Sequence, residues 1–289
     1  MEAGILFTVI LLTTSVQSRI IDLSHDHGPN TVMANRQPHY NWTQIFQGDI
    51  LPGVYAETGA YYTAEHGGTH IDAPAHFTRG GLRLEKVTVE MTIAEGVMID
   101  CSFEASRNRS YLVPLQKISD WEAVNGRIPD NAAVIFNFGW SQYFHSIELY
   151  EGSANDIVQE MSFPAIGKEA GLFLLEQRNI KIIGTDTATP DPFNAGEMPI
   201  HQNYLPKNRL IVEDLKDTGL LPARGFRFHA SPVKYVGATG AQVRAYAMTY
   251  DLPESDETGF AGAPRQGSLC INIVLCLQMI VVTLYRTVL

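Results

Sequence analysis

The fold class is decided by residues 133–184, which begin Ala133-Val134-Ile135-Phe136-Asn137-Phe138-Gly139 and end Ile180-Lys181-Ile182-Ile183-Gly184. Both apolar runs are typical of buried strands. Residues 164–177 between them predict a helix, because Pro164 suits a first turn and Ile166, Ala170 and Phe173 recur at helical spacing. A strand, a helix and a second strand in this order predict a parallel pair with a crossover helix, and hence an α/β domain.

The chain on either side of this unit completes one domain, which we expect to cover residues 19–252. Further strands are predicted at residues 19–23, 209–213 and 243–248. Residues 30–59 are polar and rich in turn formers, so they predict a long loop or flap. Between residues 19 and 252 the sequence shows no repeat, low-complexity segment or long linker.

The composition excludes several classes of protein. The chain has 289 residues, of which 45% are hydrophobic and 18% are charged, which is a globular composition that can bury a sizeable core. The net charge of −10 argues against nucleic acid as the main partner. Three scattered cysteines cannot form a disulfide framework or a cysteine zinc site, and Cys101 is expected to be a buried small side chain.

The two ends predict export. Residues 1–18 resemble a signal peptide, with an apolar run at 5–12 and small residues at 16–18; a buried first strand is the alternative. Residues 253–268 form a polar spacer before a hydrophobic tail at 269–289. That tail fits a lipid-anchor signal, with a single membrane span or a core helix as alternatives. Asn41 and Asn108 begin glycosylation triplets, so an extracellular, membrane-attached glycoprotein is expected.

The chemistry is concentrated in residues 66–76, His66-Gly67-Gly68-Thr69-His70-Ile71-Asp72-Ala73-Pro74-Ala75-His76. Alternate residues of an extended strand point the same way, so His66, His70 and Asp72 are expected to converge. Gly67 and Gly68 disfavour a helix and let the backbone bend closely around an ion. Pro74 is expected to end the strand and to send His76 elsewhere. Imidazole and carboxylate ligands without thiolate suit Zn²⁺ or Mn²⁺.

This stretch resembles the H-x-G-T-H-x-D-x-P-x-H signature of the cyclase-like metal hydrolases, which include bacterial-type kynurenine formamidase and isatin hydrolase. The resemblance extends to segments at 22–25, 138–140, 184–191, 201–213, 231–234 and 240–245. It implies a single mixed-sheet α/β domain of the swivelling β/α/β cyclase type with crossover helices.

The resemblance also implies a role for each matching residue. His66, His70 and Asp72 would hold a first ion, and Asp72 would bridge to a second ion held by His201 and Glu213. Glu213 could also reach the first ion, and the cofactor would be one or two ions of Zn²⁺ or Mn²⁺. His76 would be the catalytic proton donor and acceptor, since a histidine titrates near neutrality.

The implied activity is hydrolysis of an amide C–N bond by a metal-bound hydroxide. The substrate would be a small amide, either N-formylkynurenine, as in an arylformamidase, or an isatin-like cyclic amide. Kynurenine formamidases carry a substrate-contacting tryptophan where this chain reads Pro29-Asn30-Thr31-Val32-Met33. A non-catalytic, membrane-tethered binding protein on the same fold is the alternative from another class, and relatives suggest a homo-oligomer.

We expect several other polar and aromatic residues to have structural rather than catalytic roles. Asp186 and Asp191 are expected to shape turns and anchor loops, and Glu65 to be a solvated carboxylate with a possible supporting role behind the ligands. Tyr61, Tyr62 and Trp140 are expected in the core. The remaining histidines are expected on the surface, at helix caps or in hydrogen-bonded core positions: His25, His27, His39, His145 and His229.

Overall fold

The computed structural model describes residues 18–32, 37–153, 157, 160–193 and 196–250. These residues belong to one unit of the chain, which ends at Leu252. The predicted signal peptide (apart from its last residue), spacer and tail lie outside them and stay predictions. Within the described part of the chain, no helix is long and apolar enough to cross a bilayer.

The described residues of this unit form thirteen strands and five α-helices. The strands are β1 Ile20–Asp22, β2 Asn41–Leu51, β3 Val54–Tyr62, β4 His70–Asp72, β5 Ile93–Asp100, β6 Leu112–Val113, β7 Ala133–Asn137, β8 Ala165–Ile166, β9 Ile182–Thr185, β10 Leu210–Glu213, β11 Phe226–His229, β12 Gly240–Gln242 and β13 Tyr246–Thr249. The helices are α1 Ser102–Arg107, α2 Leu115–Asn125, α3 Ile147–Glu151, α4 Lys168–Gln177 and α5 Pro199–Tyr204.

Nine strands form one mixed sheet in the order β1-β13-β11-β5-β7-β9-β10-β4-β12. Its centre is parallel, because β5, β7, β9 and β10 run in one direction. The helix α4 connects β7 to β9, and α2 connects β5 to β7, so the predicted α/β fold with crossover helices is confirmed. The strands at both ends of the sheet are antiparallel to their neighbours.

The central strands bury side chains on both faces, which explains their continuous apolar runs. Val134 and Phe136 pack into the core beneath the helices, whereas Ala133 and Ile135 pack into the core on the opposite face. This alternation follows from the two-residue period of a strand.

The helix predicted at residues 164–177 begins later than expected. Pro164 precedes the short strand β8, which pairs in parallel with β6, and α4 starts only at Lys168. The Ile166 N–H donates to the carbonyl of Pro190, so tertiary pairing overrides the local helix signal. The buried face of α4 is accordingly shifted to Ala170, Gly171, Leu174 and Leu175.

The last predicted strand is displaced too. Residues 243–248 were expected to be a single strand, but Val243 makes only an isolated bridge with Pro232, and β13 covers Tyr246–Thr249. Ala245 and Ala247 remain fully buried in the core on the face away from the helices, which accounts for the apolar pattern.

The prediction of a long loop at residues 30–59 was wrong from Asn41 onward. The strands β2 and β3 form a long antiparallel ribbon, joined by Pro52 and by Gly53, whose φ of 76° needs a glycine. None of the ribbon residues belongs to either core. Tyr61 and Tyr62 were expected in the core, but they lie on this ribbon and are 60% and 65% exposed.

Candidate metal centre

The strand β4 places two side chains of the centre. It lies between β10 and β12, and His70 and Asp72 are at most 2% exposed. His70 is the direct cross-strand partner of Glu213 on β10, so the two side chains share one face of the sheet. The His70 Nε2 atom lies 3.5 Å from Asp72 Oδ1 and 3.3 Å from Glu213 Oε2.

The helix α5 adds His201 from another part of the chain. Its Nε2 atom lies 3.2 Å from Asp72 Oδ2 and 3.4 Å from Glu213 Oε1. Each carboxylate therefore presents one oxygen to His70 and the other oxygen to His201. The predicted convergence of residues more than a hundred positions apart is present in the structure.

His66 and His76 complete the cluster by a different route from the one expected. His66 is outside β4, but Gly68, at a φ of 62°, turns the chain so that His66 Nδ1 lies 2.7 Å from Asp72 Oδ1. Pro74 does not send His76 away, because residues 74–76 form a single 3-10 turn. The His76 ring returns over the ring of His66, with centroids 3.8 Å apart.

The donor set fits a divalent cation. Zinc is bound at about 2.0–2.2 Å by nitrogen and oxygen, so two ligands of one tetrahedral ion are separated by roughly 3.3–3.6 Å. The four nitrogen–oxygen distances from His70 and His201 are 3.2–3.5 Å. Three buried atoms facing this space lack a hydrogen-bond partner: His70 Nε2, Asp72 Oδ2 and Glu213 Oε1. Buried polar atoms without a partner are costly, and a bound cation would satisfy all three.

The surrounding structure orients two of the imidazole rings. His70 Nδ1 lies 2.8 Å from the carbonyl oxygen of Gly68, so this nitrogen carries the proton. His201 Nδ1 lies in the same way 2.7 Å from Asp191 Oδ2. When either ring is neutral its proton is therefore on Nδ1, and Nε2 is the nitrogen left for the centre, which is the arrangement of metal-binding histidines.

The charges of the centre favour an added positive charge. Burial opposes ionisation of Asp72, but the His66, His201 and His70 rings hold its pKa well below the usual range. Burial would lower the pKa of His201, yet Asp191, Asp72 and Glu213 together raise it to about 10. For His76 burial dominates, and its pKa falls to about 4.

The centre opens into a cavity of about 190 Å³. Glu213, His70 and His201 line one part of it, and Glu151 and Asp214 add two more buried carboxyl groups. The remaining walls are mostly apolar and include Val32, Phe77, Met161, Phe163, Phe193 and Met198. These wall residues gave no sequence signal, since each reads as an ordinary core or loop residue.

The two aspartates assigned to loops do hold loops in place. Asp186 accepts hydrogen bonds from the backbone N–H groups of Phe138 and Trp140, and Trp140 is buried as expected. Asp191 accepts from the backbone of Ile200 and from both the backbone and the ring of His201. The second function of Asp191, orienting His201, was missed because it depends on where α5 lies.

The other five histidines have the ordinary surroundings that were expected. His25 stacks on Phe144 and His229 on Tyr246, with ring centroids 3.8 and 4.7 Å apart. His27 bonds to Thr63, and His145 bonds to the carbonyl of Gln142. His39 is exposed. Asn41 and Asn108 are exposed as well, and their glycosylation stays a prediction.

Comparison with known proteins places this chain in a family. The family model described as "Putative cyclase" matches residues 21–192. The isatin hydrolase of Roseibium aggregatum is 26% identical over 254 residues, covering 81% of this chain and 93% of that protein. The kynurenine formamidase of Salinibacter ruber is 22% identical over 237 residues, covering 81% and 99%.

Solved structures support the same family relationship. An isatin hydrolase crystallised with the product analogue thioisatinate superposes with a TM-score of 0.73 at 25% identity, covering 81% of this chain and 93% of that one. The chain therefore belongs to the cyclase family of metal-dependent hydrolases. Its particular similarity is to enzymes that open amide bonds.

We predict that metal binding at this centre strengthens as the pH rises and releases protons. Despite their burial, His70 and His201 have raised pKa values in the metal-free protein, that of His201 about 10, because the Asp72 and Glu213 carboxylates favour the protonated rings. Ligands must lose those protons before they bind a metal. Calorimetric titration with Zn²⁺ in two buffers of different ionisation enthalpy measures the protons released. The exposed variant His145→Gln should release the same number, and a pH-independent affinity without proton release would contradict the prediction.

Proposed function

We propose that this protein hydrolyses an amide C–N bond of a small aromatic substrate with the help of one or two divalent ions. The observation that carries the proposal is the set of partnerless buried atoms on His70, Asp72 and Glu213 at the wall of an apolar cavity. The family relationship supports the same reaction class.

Five residues would hold the metal: His66, His70, Asp72, His201 and Glu213. Asp72 and Glu213 each offer separate oxygens to the two sides of the centre, which supports two neighbouring ion positions. A divalent ion bound there would supply a water with a pKa near 7 and a Lewis acid for the substrate carbonyl. The donor set suits Zn²⁺ or Mn²⁺.

His76 would move the proton. Its ring is half-buried at the cavity wall, stacked on His66 and within 5.8 Å of the His201 ring. Burial lowers its pKa to about 4, so the ring is neutral at pH 7 and available to accept a proton, although it titrates below the neutral range expected from the sequence. Returning that proton to the nitrogen of the scissile bond would let the amine leave.

The cavity favours a compact, uncharged amide over N-formylkynurenine. Three phenylalanine and two methionine side chains form much of its apolar wall, and its volume is about 190 Å³. Among the described lining residues none is a lysine or arginine that could pair with the carboxylate of an amino acid, whereas Glu151, Glu213 and Asp214 are acidic. An isatin-like cyclic amide is therefore the substrate we favour, with N-formylkynurenine as the second candidate.

The purified full chain loaded with Zn²⁺ or Mn²⁺ should hydrolyse isatin faster than N-formylkynurenine. His76→Gln should lower kcat by about 10²–10⁴-fold without changing the metal content, because only the proton transfer is lost. The matched control His145→Gln alters an exposed ring and should keep the full rate. Metal binding without turnover of any formamide, cyclic amide or ester would instead support the non-catalytic alternative.

We also propose that the ribbon of β2 and β3 joins two copies of this chain. Neither strand pairs with any other described strand, and a two-stranded ribbon is only marginally stable by itself. Residues 41–62 contain no lysine or arginine, and proline occurs only at the turn, so the edges lack the lysine and internal proline residues that commonly block strand pairing.

The exposed apolar surface of the ribbon is large enough for a dimer. Nine large side chains are 39–67% exposed: Trp42, Ile45, Phe46, Ile50, Leu51, Val54, Tyr55, Tyr61 and Tyr62. At roughly 100 Å² each they offer about 900 Å², close to what each partner of a standard interface buries. The surface is continuous with exposed Tyr235 of the body, whose hydroxyl lies 3.1 Å from that of Tyr61. A self-complementary contact of this kind closes as a two-fold dimer.

Sedimentation velocity in mild detergent should give a dimer for the wild-type chain and a monomer for the double variant Ile45→Lys, Ile50→Lys. Both isoleucines lie at the bulges of the ribbon, so lysine there places charge in the interface without breaking the strand pairing. Val124→Lys, at an 85% exposed position of α2, is the control that should stay dimeric. Equal masses for the wild type and the double variant would rule out this surface.

A further inference from the structure

A chain of hydrogen bonds leads from His66 to the protein surface. His66 Nε2 lies 2.9 Å from the hydroxyl oxygen of Thr239. That hydroxyl lies 2.6 Å from Glu65 Oε2, and the same carboxylate oxygen accepts the backbone N–H of Thr239 at 2.8 Å. Glu65 is therefore not a free solvated carboxylate, although its side chain is 45% exposed.

The direction of these bonds follows from the chemistry of the groups. An ionised carboxylate can only accept, so the Thr239 hydroxyl must donate its single proton to Glu65. The hydroxyl oxygen is then left to accept from His66, which requires a proton on His66 Nε2. The Nδ1 atom of a neutral His66 ring is consequently unprotonated.

That unprotonated nitrogen faces another acceptor. His66 Nδ1 lies 2.7 Å from Asp72 Oδ1, and two lone pairs at this distance repel each other unless a cation or a second proton compensates them. His70 and His201 present Nε2 to the same centre, because Gly68 and Asp191 hold their Nδ1 protons. His66 alone presents the opposite nitrogen.

The backbone holds this arrangement closely. The carbonyl of Thr239 accepts the N–H of Ala73, which ties the threonine to the end of β4. Gly240, opposite Asp72 in the sheet, lets the ring approach, because a Cβ atom there would lie 2.5 Å from His66 Cε1. The position of the His66 ring is thus fixed by Thr239 and Gly240, which lie 173 and 174 positions further along the chain.

We propose that Thr239 and Glu65 are positioning residues that keep the proton of His66 on Nε2 and so aim Nδ1 at the metal. This inference rests on the metal-dependent function proposed above and adds two residues to its site. The pair acts only through His66, and neither side chain lines the substrate cavity.

Nitrogen NMR of the full chain labelled with ¹⁵N-histidine tests the proton position directly, with His66→Gln to assign the signal. The His66 ring should carry a proton on Nε2 both without metal and with Zn²⁺, while Zn²⁺ should change the Nδ1 signal. In Thr239→Val, which removes the hydroxyl but keeps the shape, the Nε2 proton should exchange faster or move to Nδ1. A wild-type ring protonated on Nδ1 alone would overturn the proposal, with or without metal binding.

Competition with a chromophoric chelator measures the effect on Zn²⁺. Thr239→Val should weaken binding about 10–100-fold, the usual effect of losing a group that orients a metal ligand. Thr239→Ser, which restores the hydroxyl, should bind like the wild type. Glu65→Gln should fall between them, because an amide can also donate to Thr239 and reverse the chain. Thr88→Val removes a threonine–glutamate contact at an exposed position that is not part of the metal centre, and it is the matched control.

The outcomes separate the two proposals. Normal Zn²⁺ affinity in Thr239→Val would overturn the positioning role while leaving the hydrolase intact. A wild-type chain that binds no Zn²⁺ would sink the proposed function, and the NMR measurement would still show whether Thr239 sets the tautomer. Equal losses in Thr239→Val and Thr239→Ser would indicate disturbed packing and would also contradict the proposal.

Discussion

Two carboxylates facing each other from neighbouring buried strands are the constraint on which the rest of this structure depends. Asp72 and Glu213 are at most 6% exposed, and each would repel the other if both were ionised without compensation. The strand register brings them together. His70 on β4 is the cross-strand partner of Glu213 on β10, and Asp72 follows His70 by two residues on the same face of β4. Three imidazole rings, together with a bound cation, can compensate that negative charge.

The layers behind the ligands follow from the same constraint. Gly68, Asp191 and Thr239 each accept a hydrogen bond from one nitrogen of a histidine ring. The other nitrogen of each ring is left to face the centre. Asp72 Oδ2 and Glu213 Oε1 are buried without a hydrogen-bond partner, and a bound ion would satisfy them. The apolar cavity beside the centre would then hold the substrate of the reaction proposed above.

Much of this could be predicted from the sequence, because the signals were local. The apolar runs of β7 and β9 indicated that both faces of these strands are buried. The alternation of residues along β4 indicated that His70 and Asp72 share one face of that strand. The ribbon of β2 and β3 was not predicted, because its residues pack into neither core and its glycines and polar residues resemble those of a loop. The path of His66 was only half predicted, since it depends on a positive φ at Gly68 rather than on strand alternation. Thr239 and Glu65 could not be paired from sequence, because only the folded sheet brings residues 174 positions apart into contact.

We propose that these side chains enclose a cation. The decisive test is anomalous X-ray diffraction at the absorption edge of zinc or manganese, on crystals of the metal-loaded protein. One or two anomalous peaks should lie about 2.0–2.2 Å from His70 Nε2 and from oxygens of Asp72 and Glu213. Fully loaded crystals without a peak between these residues, or with the ion bound only elsewhere, would contradict it.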